Sequence, residues 1–290
     1  MPSMLSALLQ ALLNGIVSGI ILAVPAIGFT AMFALLRYGN FAVGALATIG
    51  AYGGYVANVK WGWPALAALS AAFAAAGIAG VALDRLALKP LKASGALVVA
   101  IASLAGSLVL ENIVRWFFGN DLRGYDLPIL RDMRFGDLRV GPQQLENFLL
   151  ALAIMIAIWL FLAFTRLGRA MRAVADNPEL AMLKGIEPER MAFLATIVGS
   201  GLVGLGGMLL GLDTSIDPLT GNRVLLSVFA AAVLGGLGSA PGAVLGALII
   251  GVAEELTVLV AAPAYRSAIG FLVILIVLTI RPAGLFGERS

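Results

Sequence analysis

The chain has 290 residues, of which 61% are hydrophobic and only 12% are charged. A soluble domain is about 45–50% apolar and about 25% charged, so we interpret the sequence as an all-α, polytopic integral membrane protein. The net charge is +3 and the basic residues are spread among loops, which gives no support to nucleic-acid binding. Cysteine and histidine are absent, which excludes disulfides, thiolate catalysis, and the commonest general base and metal ligand.

About eight segments are long and apolar enough to cross a membrane, where a helix needs about 20 mostly apolar residues. They are residues 5–36, 41–57, 64–83, 95–118, 145–164, 191–212, a broken region 224–260, and 268–280. The first segment is too long for one straight span, and Pro25 and Gly28 are predicted to interrupt it. The first residues lack the basic start of a signal peptide. We therefore expect one transmembrane domain over residues 1–290.

The basic residues of the short loops predict the orientation of the chain. The segment DRLALKPLK carries three basic residues and residues 166–190 carry five, so both are expected in the cytoplasm, together with the C-terminus from Arg281. Residues 119–144 are then external, and the alternation in RDMRFGDLRVGP predicts a small β-hairpin. This outer loop is interpreted as a solvated connector, with a docking surface for an external partner as the alternative.

The polar stretch 166–190 lies between apolar segments and contains one short helix with clear boundaries. Asp176 or Asn177 can cap the free amides of the helix start, and Pro178 suits the first helical position. Gly185 suits the left-handed conformation that closes a helix. The sequence therefore predicts a helix of about two turns on the membrane surface, since it is too polar and too short to span.

The side chains of this short helix predict how it is used. Glu179 favours the positive end of the helix dipole, and Pro188 prevents continuation of the helix. Leu180, Ala181 and Leu183 are predicted to form a small apolar face. A surface helix held between two spans is well placed to be moved by a partner.

Two glycine-rich breaks, LLRYGNFAVGA and LGGLGSAPGAVLGA, lie in the two halves of the chain. Matching interrupted segments in two halves indicate the internal repeat and central pathway of a transporter. The candidates for pathway or hinge residues are Asn40, Gly44, Gly235, Gly238 and Gly242. Other glycine pairs at four-residue spacing indicate ordinary helix packing.

The sequence predicts no catalytic, cofactor-binding or metal-binding residues. It contains no G-x-x-x-x-G-K-[ST] loop, so the chain does not bind ATP by that route. Glu111 and Arg115 have the spacing of an intrahelical ion pair, and Glu254 and Glu255 lie near the end of an apolar run. We interpret all four as structural, because pairing or snorkelling lowers the cost of charge in lipid.

Several motifs resemble those of known transporters. Glu179-Leu180-Ala181-x-x-x-Gly185 resembles the E-A-A-x-x-x-G loop of ABC importer permeases, in which a short cytoplasmic helix docks into the ATPase subunit. RAMRAVADNPELAMLKGI, LLRYGNFAVGALATIGAY, LGGLGSAPGAVLGA and RPAGLFG resemble the branched-chain amino acid permease family of the LivH/LivM type, and the length is similar to the LivH-type subunit. Leu180 replaces the middle alanine of the loop motif, and Val43 and Ala45 stand where many relatives carry a histidine and an acidic residue.

The resemblance implies a non-catalytic permease subunit in the bacterial inner membrane, within lipid. Its partners would be a second homologous permease, two cytoplasmic ATPases that bind the ATP, and a periplasmic binding protein. The helix that couples to the ATPases would contain Asn177, Glu179, Ala181 and Gly185. Branched-chain or related amino acids are the expected cargo. Urea, amides or sugars are alternatives, and an autonomous secondary transporter is a further one.

Overall fold

The computed structural model describes residues 4–128, 133–135, 138–262, 265–281 and 284–286. The α-helices of this part of the chain are α1 (Met4–Leu36), α2 (Val43–Tyr55), α3 (Ala65–Leu83), the single turn α4 (Lys89–Leu91), α5 (Ala96–Phe118), α6 (Pro142–Phe164), α7 (Arg166–Asp176), α8 (Pro178–Leu183), α9 (Pro188–Asp213), α10 (Thr220–Gly235), α11 (Ala240–Val260) and α12 (Arg266–Ile280). π-Helical turns extend α2 over Val56–Lys60 and α3 over Asp84–Leu88, and a 3₁₀ turn at Lys92–Ser94 precedes α5.

In the described part of the chain, six helices are long and apolar enough to cross a membrane. They are Met4–Leu36, Ala65–Ser94, Ala96–Phe118, Pro142–Phe164, Pro188–Asp213 and Ala240–Val260. Helices α2, α10 and α12 also coincide with predicted segments but are shorter. The all-α membrane architecture is therefore confirmed. The predicted number of about eight spans is not confirmed, because six of the described helices are long enough to span and the other apolar helices are shorter.

The predicted interruption of the first segment at Pro25 and Gly28 is wrong. Helix α1 runs through both residues without a break. Neighbouring glycines make room for the two positions, because Pro25 packs against Gly206 and the backbone of Gly28 approaches that of Gly199. The break in this half of the chain lies instead between α1 and α2.

Helices α1 and α9 form the centre of the bundle, and α2, α3 and α11 pack directly against them. Small residues let these backbones approach closely, as is common between membrane helices. A Cβ atom on Gly50 would lie only 2.2 Å from the Cα atom of Gly204. Glycines 15 and 19 in turn pack against α11, so the paired glycines serve helix packing, as predicted.

The two polar loops lie at opposite ends of α1, whose 33 residues span about 50 Å at 1.5 Å per residue. Near the start of α1, Gln10 Oε1 accepts a hydrogen bond from the backbone N–H of Arg139, at 2.9 Å. At the other end, the Arg37 guanidinium donates to the carbonyl oxygen of Ala175 in α7. The described part of residues 119–144 and residues 166–190 are therefore separated by the length of the bundle.

The predicted β-hairpin is confirmed. Strands β1 (Met133–Phe135) and β2 (Leu138–Val140) pair antiparallel, with Met133 opposite Val140 and Phe135 opposite Leu138. Residues 129–132 and 136–137 of the predicted outer loop lie outside the described residues. Gln10 holds β2 against the start of α1.

Candidate functional site

The start of α8 is set by a side-chain cap. Asn177 has an extended backbone conformation, and its Oδ1 accepts a hydrogen bond from the N–H of Leu180, at 2.9 Å. Pro178 occupies the first turn, where its missing N–H costs nothing. Of the two predicted caps, the structure therefore selects Asn177, and Asp176 is the last residue of α7.

The end of α8 is set by Gly185, which adopts the predicted left-handed conformation with φ +80°. The N–H of Gly185 donates to the Met182 carbonyl at 2.9 Å, and the N–H of Ile186 donates to the Ala181 carbonyl at 3.0 Å. These two bonds are those of a Schellman motif, which satisfies carbonyls that the helix end leaves free. No heavy atom lies within 4 Å of a Cβ atom placed on Gly185, so the backbone conformation alone requires glycine there.

The apolar side chains of α8 point in two directions, which corrects the predicted single face. Ala181 is buried in a small cluster of its own, whose other members are Met171, Val174, Met191 and Ala195. By contrast, Leu180 is 55%, Met182 58% and Leu183 83% exposed. The helix therefore rests on the protein through Ala181 and presents larger apolar side chains outward.

The stretch 166–190 contains two helices instead of the one predicted. Helix α7 precedes α8 and is capped by Thr165, whose hydroxyl accepts from the N–H of Gly168 at 3.0 Å. Its inward face consists of Gly168, Met171 and Val174. Pro188, which was predicted to prevent continuation of α8, is also the first residue of α9. The unit α7–α8 is thus continuous with two long helices, α6 and α9.

Arg37 joins this unit to the point where α1 ends. It adopts a left-handed backbone conformation with φ +62°, the only positive φ among the described non-glycine residues. Its guanidinium donates to the Ala175 carbonyl near the end of α7. The next residue, Tyr38, donates its hydroxyl proton to Asp84 Oδ1 at 2.7 Å. Burial and then this hydrogen bond raise the pKa of Tyr38, so the phenol remains a protonated donor.

Two cavities flank the contact between Arg37 and α7. The first, of about 680 Å³, lies between α7, the end of α1 and the turn between α10 and α11. Phe286 also lines it, which places the C-terminal segment at the same end of the bundle as α7. The second, of about 620 Å³, is lined by Arg37, the polar end of α3 and the start of α9. Little protein therefore fills the space around this contact.

The first-half pathway candidates lie where two short helices begin. Asn40 is buried and its Oδ1 accepts from the N–H of Ala42 at 3.0 Å, which orders the turn into α2. Gly44, the second residue of α2, meets Gly221, the second residue of α10, since a Cβ atom on Gly221 would lie 1.7 Å from the Gly44 carbonyl oxygen. Helices α2 and α10 therefore start from one point inside the bundle.

The second-half candidates lie at the other end of α10. The backbones of Gly235 and Gly242 touch, because a Cβ atom on Gly235 would be 2.2 Å from the carbonyl carbon of Gly242. Gly238 turns the chain between the two helices with φ +99°. The five predicted pathway or hinge residues thus form two separate groups, divided by the 16 residues of α10.

A polar network at the start of α10 was missed by the sequence analysis. The expected pair between Glu111 and Arg115 is present, and Asn222 Nδ2 donates to the other carboxylate oxygen of Glu111 at 2.6 Å. Nearby, Thr48 accepts from the N–H of Gly221 at 3.0 Å. Asn222 and Thr48 carry no local signal, since their partners are more than a hundred residues away in the sequence.

The first part of the outer loop packs at the end of the bundle opposite α8, close to the segment that precedes α10. Arg123 exchanges two backbone hydrogen bonds with Ile216, at 2.9 and 2.8 Å, and Tyr125 donates to the Ala51 carbonyl at 2.7 Å. Burial raises the pKa of Tyr125, which keeps this donor protonated. Among the described residues, no three His, Cys, Asp or Glu side chains lie together as a metal site requires.

The sequence is similar to a known protein family and to individual members of it. The family described as "Branched-chain amino acid transport system / permease component" matches residues 11–278. LivH of Escherichia coli (strain K12), a "High-affinity branched-chain amino acid transport system permease protein", is 32% identical over 287 residues, which cover 92% of this chain and 91% of LivH. BraD of Pseudomonas aeruginosa is 32% identical over 282 residues, with the same two coverages. A probable LivH of Methanocaldococcus jannaschii is 31% identical and covers 92% of this chain and 89% of its own length.

The fold is also similar to that of a solved structure. The match is to a chain of PsaBC from Streptococcus pneumoniae in complex with Fab, with a TM-score of 0.50 and 14% sequence identity, over 96% of this chain and 94% of that chain. At this identity the similarity concerns the fold alone. The family match over most of the length and the identity to LivH and BraD decide the classification. The chain belongs to the family of permease components of branched-chain amino acid transport systems.

Proposed function

We propose that this chain is a transmembrane permease subunit of an ABC importer that moves branched-chain amino acids across the bacterial inner membrane. Its membership of the permease family and its 32% identity to LivH support this function. A permease of this kind works with other transporter subunits. We infer that these are a second homologous permease, two cytoplasmic ATPases and a periplasmic binding protein.

The observation that carries the proposal is the exposed apolar side of α8. Leu180, Met182 and Leu183 are all more than half exposed, on a helix whose two ends are fixed by Asn177 and Gly185. Rigid helices with outward apolar side chains are suited to insertion into a groove of a partner protein. An ATPase docked there would supply the hydrolysis, so the permease itself needs no catalytic residue or bound cofactor.

In this mechanism, movement of the ATPases pushes α8, and the push reaches the bundle through α7, α6 and α9. The loop 166–190 and the C-terminus are then cytoplasmic, and residues 119–144 face the periplasm. The substrate, delivered by the binding protein, passes between the two permeases. The basic residues of 166–190 support this orientation.

The experiment is co-purification and uptake with the complete transporter, in which Leu183→Asp is compared with Leu122→Asp. Both leucines are strongly exposed, at 83% and 68%, but they lie at opposite ends of the bundle. A charge placed in an apolar contact without a partner weakens it strongly. We expect Leu183→Asp to lose the ATPases and uptake of radiolabelled leucine, whereas Leu122→Asp retains the ATPases. Full ATPase binding by Leu183→Asp would contradict the proposal.

The same preparation separates the alternatives. The purified chain alone, reconstituted with a proton or sodium gradient, is expected to give no concentrative uptake, whereas an autonomous carrier would accumulate substrate. Competition of leucine uptake by urea, amides or sugars tests the other cargo classes. Uptake of one of these in place of branched-chain amino acids by the complete transporter would assign the chain to a different cargo.

A further inference from the structure

The second cavity beside Arg37 concentrates positive charge. It has a volume of about 620 Å³ and lies between the polar end of α3, the end of α1 and the start of α9. Among the described residues, five basic and three acidic side chains line it, which gives the lining a net charge of +2. The basic ones are Arg37, Arg85, Lys89, Lys92 and Arg190, and the acidic ones are Asp84, Glu187 and Glu189. The orientation of the chain requires basic residues in a loop, but it does not require them around one cavity.

The three carboxylates of this lining already have partners. Glu187 forms an ion pair with Arg190, whose Nε lies 2.6 Å from its Oε2. Glu189 forms another with Lys89, whose Nζ lies 3.1 Å from its Oε2. Asp84 accepts a hydrogen bond from a tyrosine hydroxyl of the α1–α2 connection, at 2.7 Å. The other three cations of the lining therefore share none of these ion pairs.

Arg37, Arg85 and Lys92 form no ion pair with any described residue. Arg37 donates to the backbone carbonyl of Ala175. The guanidinium carbon of Arg85 lies 4.4 Å from the ring centroid of Phe193, a contact that leaves its N–H groups free. Lys92 makes no hydrogen bond with the described part of the chain. All three residues are exposed, so an anion that enters the cavity meets three positive charges that no carboxylate pairs with.

The cavity lies at the end of an apolar stripe on α3. Ile78 is 72% and Leu86 is 81% exposed, and Ala82 between them is also exposed, at the four-residue spacing of one helix face. Arg85 and Lys89 follow three and seven residues after Ala82 and continue this face. The helix is one of those long and apolar enough to span a membrane, so an outward apolar stripe on it faces lipid tails. The basic cavity therefore lies where these tails end.

We propose that this cavity binds the phosphate headgroup of an anionic phospholipid. The headgroup lies among Arg37, Arg85 and Lys92, and the acyl chains lie along the apolar stripe of α3. Arginine binds phosphate oxygens through parallel hydrogen bonds, and basic pockets between membrane helices bind such headgroups at the cytoplasmic surface. The inference goes beyond the proposed function, since it requires only that the chain spans a membrane.

The position of the cavity connects the lipid to several elements at once. Pro178 and Pro188, the first residues of α8 and α9, also line it. A headgroup in the cavity therefore contacts α3, α9 and the start of α8 together. A ligand that binds only the folded state stabilises it, so the bound lipid is expected to raise the melting temperature of the chain.

The test combines thermal unfolding with native mass spectrometry of the purified full-length chain in detergent micelles that contain phosphatidylglycerol or phosphatidylcholine. We expect the chain to retain phosphatidylglycerol and to melt at a higher temperature with it. Phosphatidylcholine, whose headgroup has no net charge, is expected to do neither. All samples have the same salt concentration, because salt screens exposed charges. Equal retention and equal melting with the two lipids would overturn the proposal.

The double variant Arg85→Gln/Lys92→Gln tests the location of the site. It is expected to bind phosphatidylglycerol about tenfold or more weakly, because one basic residue near an anionic lipid contributes about fivefold in affinity. The matched control is Arg166→Gln/Arg169→Gln, which removes two exposed charges at the same end of the bundle but outside the cavity. This control is expected to keep the wild-type affinity. Equal losses in both variants would show a general attraction to the basic end and would overturn the site.

A milder variant, Lys92→Glu, serves if the double variant fails to fold, since Lys92 makes no hydrogen bond or ion pair with a described residue. It is expected to weaken phosphatidylglycerol binding severalfold, whereas Lys184→Glu, exposed at the same end, retains it. Equal affinities of these two variants would overturn the site.

Inorganic phosphate, added without lipid, distinguishes a lipid headgroup from a soluble anion. It is expected to leave the melting temperature unchanged, because it lacks the acyl chains that lie along α3. Stabilisation by inorganic phosphate equal to that by phosphatidylglycerol would assign the cavity to a soluble anion and would overturn the lipid site.

Discussion

At the scale of single residues, a few positions determine where helix α8 starts, where it stops and how it is attached to the bundle. Asn177 supplies an acceptor for a free amide, and Gly185 supplies a conformation that other residues resist. Both act locally, through the backbone, and neither is buried against the rest of the bundle. Their effects can therefore be tested with little disturbance of the transmembrane core.

Replacing Gly185 by alanine is expected to destabilise the end of α8, because a left-handed backbone costs an L-residue about 1–2 kcal/mol. No steric clash contributes, since a Cβ atom there meets open space. The ATPases should co-purify less well while the permease still inserts. Gly185→Asn is the control, as asparagine tolerates this conformation. If the alanine and asparagine variants retain the ATPases equally, the conformation of Gly185 is irrelevant to coupling.

Arg37, the residue after α1, hydrogen-bonds the end of α7, and its removal should affect coupling more than assembly. Arg37→Asn keeps a residue that tolerates positive φ but deletes the guanidinium that binds the Ala175 carbonyl. We expect normal ATPase binding but more ATP hydrolysed per leucine transported, measured together in proteoliposomes. Arg169→Asn, an exposed position on the same helix, should leave this ratio unchanged. A normal ratio in Arg37→Asn would remove Arg37 from the coupling path.

At the scale of helices, the central packing depends on backbones that approach without side chains between them. Helix α9 contacts α2 through glycine on both sides, at Gly50 and Gly204. Lipid tails are as apolar as the helix surfaces, so close packing and not the exclusion of water holds such helices together. An added methyl group is therefore expected to lower the stability of the bundle strongly where two helix backbones touch and only slightly elsewhere.

Gly50→Ala is expected to lower the thermal stability of the detergent-solubilised permease. Its new Cβ would lie 2.2 Å from Gly204 Cα, and overpacking of this kind costs about 1–3 kcal/mol. Gly124→Ala, where a Cβ meets nothing within 4 Å, is the control and should melt as the wild type does. The melting temperature is measured by size-exclusion chromatography after heating. Equal melting temperatures for the two variants would show that α2 and α9 do not pack as described.

At the scale of the whole molecule, the long helix α1 separates two polar ends of the bundle. One end bears the β-hairpin and the contacts of Arg123 and Tyr125, and the other bears α7, α8 and the C-terminal segment. In the proposed orientation, the first end receives the substrate-loaded binding protein and the second receives the ATPases. The cavities beside Arg37 leave room for the second end to move.

The orientation can be measured directly, because the chain has no cysteine and a single introduced one gives no background. Leu122→Cys is expected to react with a membrane-impermeant maleimide in cells whose outer membrane alone is permeabilised. Leu183→Cys should react only after the inner membrane is opened. Both side chains are exposed, so access to the reagent decides the result. The reverse pattern would place α8 outside and refute ATPase coupling through it.

The sequence by itself determined the features that depend on local chemistry. Long apolar runs require helices in a membrane, Pro178 and Gly185 mark the ends of α8, with Asn177 as one of the two caps that the sequence offered, and the strand alternation predicts the hairpin. The family motifs are likewise stretches of continuous sequence. Such features rest on neighbouring residues, whose spacing is known before the chain folds.

Only the tertiary structure decided which surfaces face each other. It showed that α1 continues through Pro25, because Gly206 on α9 accommodates the ring. It also showed that Ala181 faces inward and Leu183 outward, and that Asn222 hydrogen-bonds Glu111, which is 111 positions away in the sequence. Packing between helices that are distant in the sequence depends on the shapes and small residues of many positions together. No local sequence pattern contains this combined information.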